Sequence, residues 1–308
     1  MGTIVVVGSS NTDMIVRVPH LPAPGETVLG GTFHRAAGGK GANQAVAAAR
    51  AGGTVSFVGC LGEDGLGRDA LQGLRDEGLD VGSVVRAPSE PSGVALIFVD
   101  DAGENCIAVA PGANAGLLPE HIQGVEGLLA AADVVVLQLE IPEQTVAAAA
   151  RTASRHGARV ILNPAPARPL PAALLADVSL ITPTEAELGL RAGIDTHDDD
   201  GTDAAVSALF ERGVRAVAVT RGARGAYVAT PDQRVTVPGL PVEATDTTGA
   251  GDVFNGALAV ALAEGRSLAE AARFGNVAAA LSVTRLGAQP SIPYREEIDD
   301  LLDRTGAG

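Results

Sequence analysis

Short apolar runs alternate along the chain with longer stretches in which apolar residues recur at helical spacing. Residues 3–8, 134–139, 159–162, 178–181 and 214–219 are mainly apolar runs of strand length. Residues 143–156, the stretch from Thr202 and an alanine-rich stretch that stops at Gly52-Gly53 read as helices. Runs that are apolar throughout, rather than at every second position, mark strands covered on both faces. The expected fold is therefore α/β: a Rossmann-like, mostly parallel central sheet flanked by helices. Two excursions break the pattern. Residues 14–33 alternate in short strands interrupted by Pro19, Pro22, Pro24 and Gly25. Residues 94–99 and 106–110 are joined by the hairpin-like Asp100-Asp101-Ala102-Gly103-Glu104-Asn105. Together they predict a small β-sheet lid, built from about 14–35 and 92–112, on a single domain spanning 1–308. Such a lid would exclude water from a reacting group.

Polar residues collect where the expected strands end. Asn11 and Asp13 follow the first strand, either as ligand contacts or as turn caps. Gln138 and Glu140, then Asn163, then Thr182 to Glu187, then Thr220-Arg221-Gly222 close later ones. Recurrence at one edge of one sheet points to a shared cleft, since open α/β sheets bind ligands beyond the carboxyl ends of their strands. Two glycine-rich helix starts face the same edge. In Ala36-Ala37-Gly38-Gly39-Lys40-Gly41-Ala42-Asn43-Gln44, the backbone, Lys40 and Asn43 either meet a polar ligand or only permit close packing. Lys40 is followed by Gly41 rather than Ser or Thr, so this is no Walker loop, and Gly8 lacks the further glycines of a dinucleotide fingerprint. The second start is Asp246-Thr247-Thr248-Gly249-Ala250-Gly251-Asp252-Val253-Phe254-Asn255-Gly256. It opens an apolar helix whose free amides suit a phosphate. Asp252 at that mouth repels an anion, so it either complements the helix dipole or serves as a general base.

Composition narrows the partners. With 46% hydrophobic residues in 308, a sizeable core is available. A net charge of −15 disfavours nucleic acid and anionic membranes, and leaves any nucleotide to be held by local devices. No apolar run approaches a membrane span and residues 1–8 carry no basic leader pattern, so a cytoplasmic location is expected. Cys60 and Cys106 stand far apart and read as core residues. The five histidines lack ligand spacing, and Asp198-Asp199-Asp200 reads as acids before a helix rather than a calcium loop. Lys40 is the sole lysine beside 21 arginines, which suggests that a compact ammonium is wanted there.

The two glycine-rich motifs, with Gly8-Ser9-Ser10-Asn11-Thr12-Asp13, Pro24-Gly25-Glu26-Thr27, Ser92-Gly93-Val94-Ala95, Gln138-Leu139-Glu140, Asn163-Pro164-Ala165-Pro166-Ala167 and Gly287-Ala288-Gln289-Pro290-Ser291, occur in an order and spacing that resembles the ribokinase branch of the PfkB carbohydrate kinase family. The resemblance covers nearly the whole chain. It implies that Asn11, Asp13, Gly39, Lys40, Asn43 and Glu140 hold sugar hydroxyls, that Asp252 is the catalytic base, and that Gly249, Ala250 and Gly251 receive the transferred phosphoryl group. It implies Glu187 for Mg²⁺ through water, and Thr184, Thr220, Gly222, Gly251 and Asn276 for ATP. Asp246, Thr248, Val283, Ala288 and Ser291 are implied to hold an activating monovalent cation such as K⁺.

The implied reaction is ATP-dependent phosphorylation of the 5-hydroxyl of D-ribose. Alternatives are another sugar or nucleoside kinase of the family, for instance acting on deoxyribose or fructose, and a catalytically silent sugar-binding regulator. A homodimer through the lid is implied as well, covering Val16, Val18, Val28, Phe33, Ile97 and Val99. One position departs from the family pattern: Pro183-Thr184-Glu185-Ala186-Glu187 carries threonine where the family has asparagine, so an altered Mg²⁺ dependence is expected there.

Overall fold

The computed structural model describes residues 2–305; Met1 and 306–308 of the expected unit 1–308 lie outside the described residues. Fourteen strands follow one another among them: β1 (Thr3–Val7), β2 (Asn11–Arg17), β3 (Thr32–Gly38), β4 (Thr54–Val58), β5 (Cys60–Gly62), β6 (Val85–Ala87), β7 (Gly93–Val99), β8 (Asn105–Ala110), β9 (Val134–Leu137), β10 (Arg159–Leu162), β11 (Leu180–Ile181), β12 (Val217–Thr220), β13 (Ala226–Thr230) and β14 (Gln233–Val237). Eight of them form the main sheet in the order β14-β13-β12-β11-β10-β9-β1-β4. Pairing is parallel from β4 to β12 and antiparallel for the two edge strands β13 and β14.

β1 shows why the sheet is buried on both faces. Ile4 and Val6 enter one apolar cluster, under the helices Lys40–Arg50, Ala250–Ala263 and Leu268–Ser282. Val5 and Val7 enter the other, under the helix Glu143–Arg155. The chain leaves β1, fills one side at β4, then returns to the other side at β9. The crevice between the carboxyl ends of β1 and β9 is thus the switch point of the sheet.

A second sheet, β3-β2-β7-β8, grows directly from the switch point, because only residues 8–10 separate β1 from β2. Its strands come from the two excursions, with β2 starting already at Asn11 and β3 running on to Gly38. β2 pairs with β7 in parallel, while β2 with β3 and β7 with β8 are antiparallel. Every residue of β8 is exposed, and so are Phe33 and Leu96.

Several expectations need correction. The run 178–181 is a strand only at Leu180–Ile181, since the helix Ala172–Asp177 ends just before it. The run 214–219 pairs only from Val217, because Val214 donates its amide to Leu209 O in the turn that closes the preceding helix. Cys106 is exposed on β8 rather than in the core, whereas Cys60 is buried. Val18 does not belong to an exposed lid face: it is 4% exposed and donates its amide to Val99 O. No helix among the described residues is long and apolar enough to cross a membrane.

Candidate active site

The helix Ala250–Ala263 reaches the switch point from the core and is apolar on almost every side, Val253 to Leu262 being buried. Its start depends on Gly249, the N-cap, whose left-handed φ of 75° disfavours a side chain. Gly251 follows with open space above it: a Cβ there would meet nothing within 4 Å. The Ala250 amide donates to Thr247 O at 3.2 Å; the other first amides of a helix have no carbonyl one turn earlier, so this open mouth presents donors to an anion.

Asp252 stands just inside, 6% exposed. Its Oδ2 accepts from Asn43 Nδ2 at 3.0 Å and its Oδ1 from Gln44 Nε2 at 2.9 Å. Both donors come from the start of the helix Lys40–Arg50, which packs against Ala250–Ala263 so closely that a Cβ on Gly256 would lie 2.5 Å from Ala47 Cβ. Burial raises the Asp252 pKa, while Lys40 and the two amide donors pull against that rise and Glu140 adds to it.

The support extends well behind the carboxylate. Gln44 Nε2 also donates to Asn163 Oδ1 at 3.1 Å, and Gln44 Oε1 accepts from Gln138 Nε2 at 2.7 Å. Asn163 donates to Thr182 O, Thr182 Oγ1 to Asn255 Oδ1 at 2.6 Å, and Asn255 Nδ2 to Gly251 O at 2.7 Å. Three strand ends and two helices are therefore stitched into one buried polar net around a single acid. Gln138 faces this net rather than a ligand, and its Oε1 has no partner.

On the lid side, Glu140 Oε2 accepts from Ser9 Oγ at 2.6 Å and from the Lys40 amide at 3.0 Å. Gly39, at φ 88°, permits that approach; a Cβ there would come within 2.6 Å of Asn11 N. Asn11 Oδ1 accepts from Asn114 Nδ2 at 2.8 Å, and Asn114 Oδ1 accepts from the Ser10 amide at 2.9 Å. Asp13 is 9% exposed, and its pKa is pushed up to about 6 by burial, with Glu140 and Asp252 adding to the rise. The Lys40 ammonium is held protonated, above its ordinary range, by Asp252 first, against burial, and then by Glu140 and Glu187. Asn11, Asp13, Gly39, Lys40, Asn43, Glu140 and Asp252 are thus brought to one small polar space between lid and sheet. Asn114 and Gln44 hold them there; local spacing does not single out Asn114.

A cavity of about 770 Å³ opens on the other side of Gly251, beyond the ends of β11 and β12. Thr184, Thr220, Gly222, Asn276 and Val283 line it, with an apolar slot from Leu240, Pro241, Val242, Ala279 and Ala280. Its size and lining suit a purine nucleotide whose phosphates run towards the 249–251 amides. Asn276 Nδ2 donates to Val237 O at 3.2 Å, which leaves its amide oxygen facing outward from that bond. Thr184 and Glu187 form a reciprocal cap: Thr184 Oγ1 accepts from the Glu187 amide at 3.2 Å and Glu187 Oε2 from the Thr184 amide at 2.9 Å. Arg221, 6% exposed, pairs with Glu185 and Asp199 and fixes the turn after β12. Asp198 caps the helix Asp199–Glu211, accepting from the Gly201 amide, as expected for that acidic run.

Two places meet the chemistry of a cation in different degrees. No group of three or more His, Cys, Asp or Glu able to hold a metal occurs among the described residues. Glu187 stands alone, which fits a Mg²⁺ that keeps its waters and arrives on nucleotide phosphates. Asp246 offers more: it accepts from the Thr248 amide and the Gly287 amide, both at 2.9 Å, tying residues 246–249 to the 283–291 loop. Burial pushes the Asp246 carboxyl up, but those bonds and Arg17 prevail and hold it below the usual range. Ala288 and Ser291 are buried beside it, Ser291 Oγ donating to Ala288 O. Val283 O accepts the amides of Thr245 and Asp246, so the loop 283–291 and the segment 245–249 are tied together from both sides of the carboxylate.

Comparison with known proteins places this geometry. The pfkB family carbohydrate kinase pattern matches residues 1–295. A ribokinase of Haemophilus influenzae is 41% identical over 301 residues, covering 98% of both chains. A deoxyribokinase of Salmonella typhi is 37% identical over 300 residues, covering 97% of this chain and 98% of its own. The structure of Arabidopsis thaliana ribokinase complexed with ribose and ATP superimposes with a TM-score of 0.93 at 35% identity, over 98% of each chain.

Proposed function

This chain belongs to the pfkB family of carbohydrate kinases, and we propose that it transfers the γ-phosphoryl group of ATP to the 5-hydroxyl of D-ribose, giving ribose 5-phosphate. The observation that carries the reading is Asp252. It is a buried carboxylate held by two amides beside the sugar-facing polar residues, one position after Gly251, which lines the nucleotide-sized cavity.

Asn11, Asp13, Asn43 and Glu140 accept and donate to the sugar hydroxyls and turn the primary hydroxyl towards Asp252. Asp252 takes its proton as the oxygen attacks the γ-phosphorus, and the raised pKa of this acid brings it closer to the task of a base near neutral pH. The amides of 249–251 meet the charge on the transferred group, and Lys40 adds a fixed positive charge beside the reacting oxygens. Thr184, Thr220, Gly222 and Asn276 hold the nucleotide. Glu187 would orient Mg²⁺ through water, and Asp246 with the carbonyls of Thr248, Val283, Ala288 and Ser291 would hold K⁺. When bound, these cations neutralise phosphate charge and stiffen the loop that carries Gly249.

Two assignments stand beside the reaction. The exposed Phe33, Leu96, Ile107 and Val109, at 61%, 48%, 53% and 48%, support a homodimer through the lid in the cytoplasm. Sedimentation that finds a monomer at micromolar concentration overturns it. The deoxyribokinase relative supports 2-deoxy-D-ribose as a second substrate. ADP release measured over D-ribose, 2-deoxy-D-ribose and D-fructose, with and without K⁺, tests the whole reading. The highest kcat/KM is expected for D-ribose, with stimulation by K⁺; ADP release indifferent to the sugar would overturn it.

A further inference from the structure

On the far side of the helix Glu185–Ala192 from the nucleotide lies a separate cavity of about 310 Å³. Its rim is Arg168, Arg191 and Arg212, its floor Leu170, Leu175, Ile181 and Leu209, and no acidic residue lines it. In a chain of net charge −15 this is a concentration of positive charge without its counter-charge. None of the three arginines takes part in an ion pair among the described residues. Glu187, the acid one turn before Arg191, is folded back onto the Thr184 amide. Burial lowers the Arg191 pKa, Glu187 opposes that, and Arg212 and Arg168 deepen it. The Nε atoms of Arg168 and Arg191 are buried without an acceptor. Three mutually repelling guanidiniums lining one cavity without an acid among them ask for an anion.

We propose that this cavity binds a small phosphate monoester, with its phosphate held among the three guanidiniums and its carbon body on the leucine floor. Guanidinium forks match phosphate oxygens, and the apolar floor distinguishes the ligand from a bare ion. The cavity is also wired to the active site. Arg191 donates to Arg168 O and Pro164 O, both at 2.6 Å, and Arg168 donates to Ile141 O at 3.4 Å. The segments so gripped carry Asn163, which binds Gln44, and Glu140, which faces the sugar space. A filled cavity therefore stiffens both and lowers the KM for ribose; that last effect alone rests on the kinase reading.

Calorimetric titration with inorganic phosphate, ribose 5-phosphate and n-propyl phosphate, with and without a non-hydrolysable ATP analogue and Mg²⁺, tests the site. The expected result is one equivalent bound with the analogue present, n-propyl phosphate at least several-fold tighter than inorganic phosphate, since each buried methylene adds roughly a factor of four. Tightest binding by ribose 5-phosphate would overturn the apolar floor as the selector and make the reaction's own product the ligand. Arg212→Gln and Arg168→Gln, which leave Arg191 and its carbonyl bonds in place, should each weaken binding about tenfold or more without changing the thermal midpoint. No heat at millimolar ligand, or an affinity unchanged in both variants, overturns the site. Binding with an unchanged ribose KM overturns its link to catalysis.

Discussion

Around Asp252 nearly every polar atom is buried and matched, Gln138 Oε1 excepted, while the neighbouring nucleotide cavity is walled largely by apolar or exposed residues and a few hydroxyls. The acceptor side is rigid because its side chains hold one another: Gln44, Asn163, Thr182 and Asn255 close a path from Asp252 back to Gly251. The nucleotide side is a shape, with a helix mouth at one end and an apolar slot at the other. The difference follows from the two jobs. A hydroxyl must be placed within a fraction of an ångström of a base and a phosphorus, whereas a nucleotide needs only its phosphates delivered.

Substitutions on the two sides should therefore fail differently. The largest effect is expected from Asp252→Asn, which keeps the shape and both amide neighbours but removes the base: kcat should fall by about 10² to 10⁴ in steady-state assays, with ribose affinity by calorimetry within a few-fold. Gln44→Leu comes next. It leaves Gln138 Nε2, Asn163 Oδ1 and Asp252 Oδ1 without their Gln44 partner, and should cost about 1 to 3 kcal/mol in denaturant unfolding and lower kcat roughly tenfold or more. Asn276→Ala, on the other side, should raise the KM for ATP by about tenfold or less and leave the KM for ribose alone. If Gln44→Leu and Asn276→Ala change the same kinetic constant, the contrast between the two sides is wrong.

Acidity should report on the acceptor side alone. With its pKa up at about 6, Asp13 is ionised above that pH and protonated below it, so it ceases to accept sugar hydroxyls as the pH falls. The profile of kcat/KM for ribose should rise through about pH 6 and level off, and Asp13→Asn should remove that limb. Stability takes the opposite sign. The folded acid binds its proton more tightly than the unfolded one, so its contribution fades as the pH rises from about 4 to 6. The smallest effect is expected from Thr184→Asn. Asparagine caps a helix as well as threonine does, so the thermal midpoint should stay put while the Mg²⁺ concentration for half-maximal rate shifts. An unchanged Mg²⁺ response would mean that position 184 only caps.

The main sheet, the small second sheet and the convergence of Asp13, Glu140 and Asp252 were legible in the sequence, because each rests on local signals: apolar runs, glycines at helix starts, polar residues at strand ends. The sequence hid what depends on contacts between distant segments. Asn114 binds Asn11 from 103 positions away, and Gln44 meets Asp252 across 208. One faint signal existed. The chain holds only seven asparagines, and six of them, Asn11, Asn43, Asn114, Asn163, Asn255 and Asn276, lie in the net or the two ligand spaces. Cys106 and Val18 were misleading for the opposite reason. Apolar identity alone does not tell which end of a lid strand is covered, and pairing across β7 decides it.

The most direct test of the central claim is the position of the new phosphate ester. The protein should be incubated with ATP, Mg²⁺ and D-ribose, and the product analysed by proton–phosphorus correlation NMR. Coupling of phosphorus to the two protons on carbon 5, in an amount equal to the ADP released, is the expected result. Phosphate on another carbon, or ADP formed without any sugar phosphate, would contradict it.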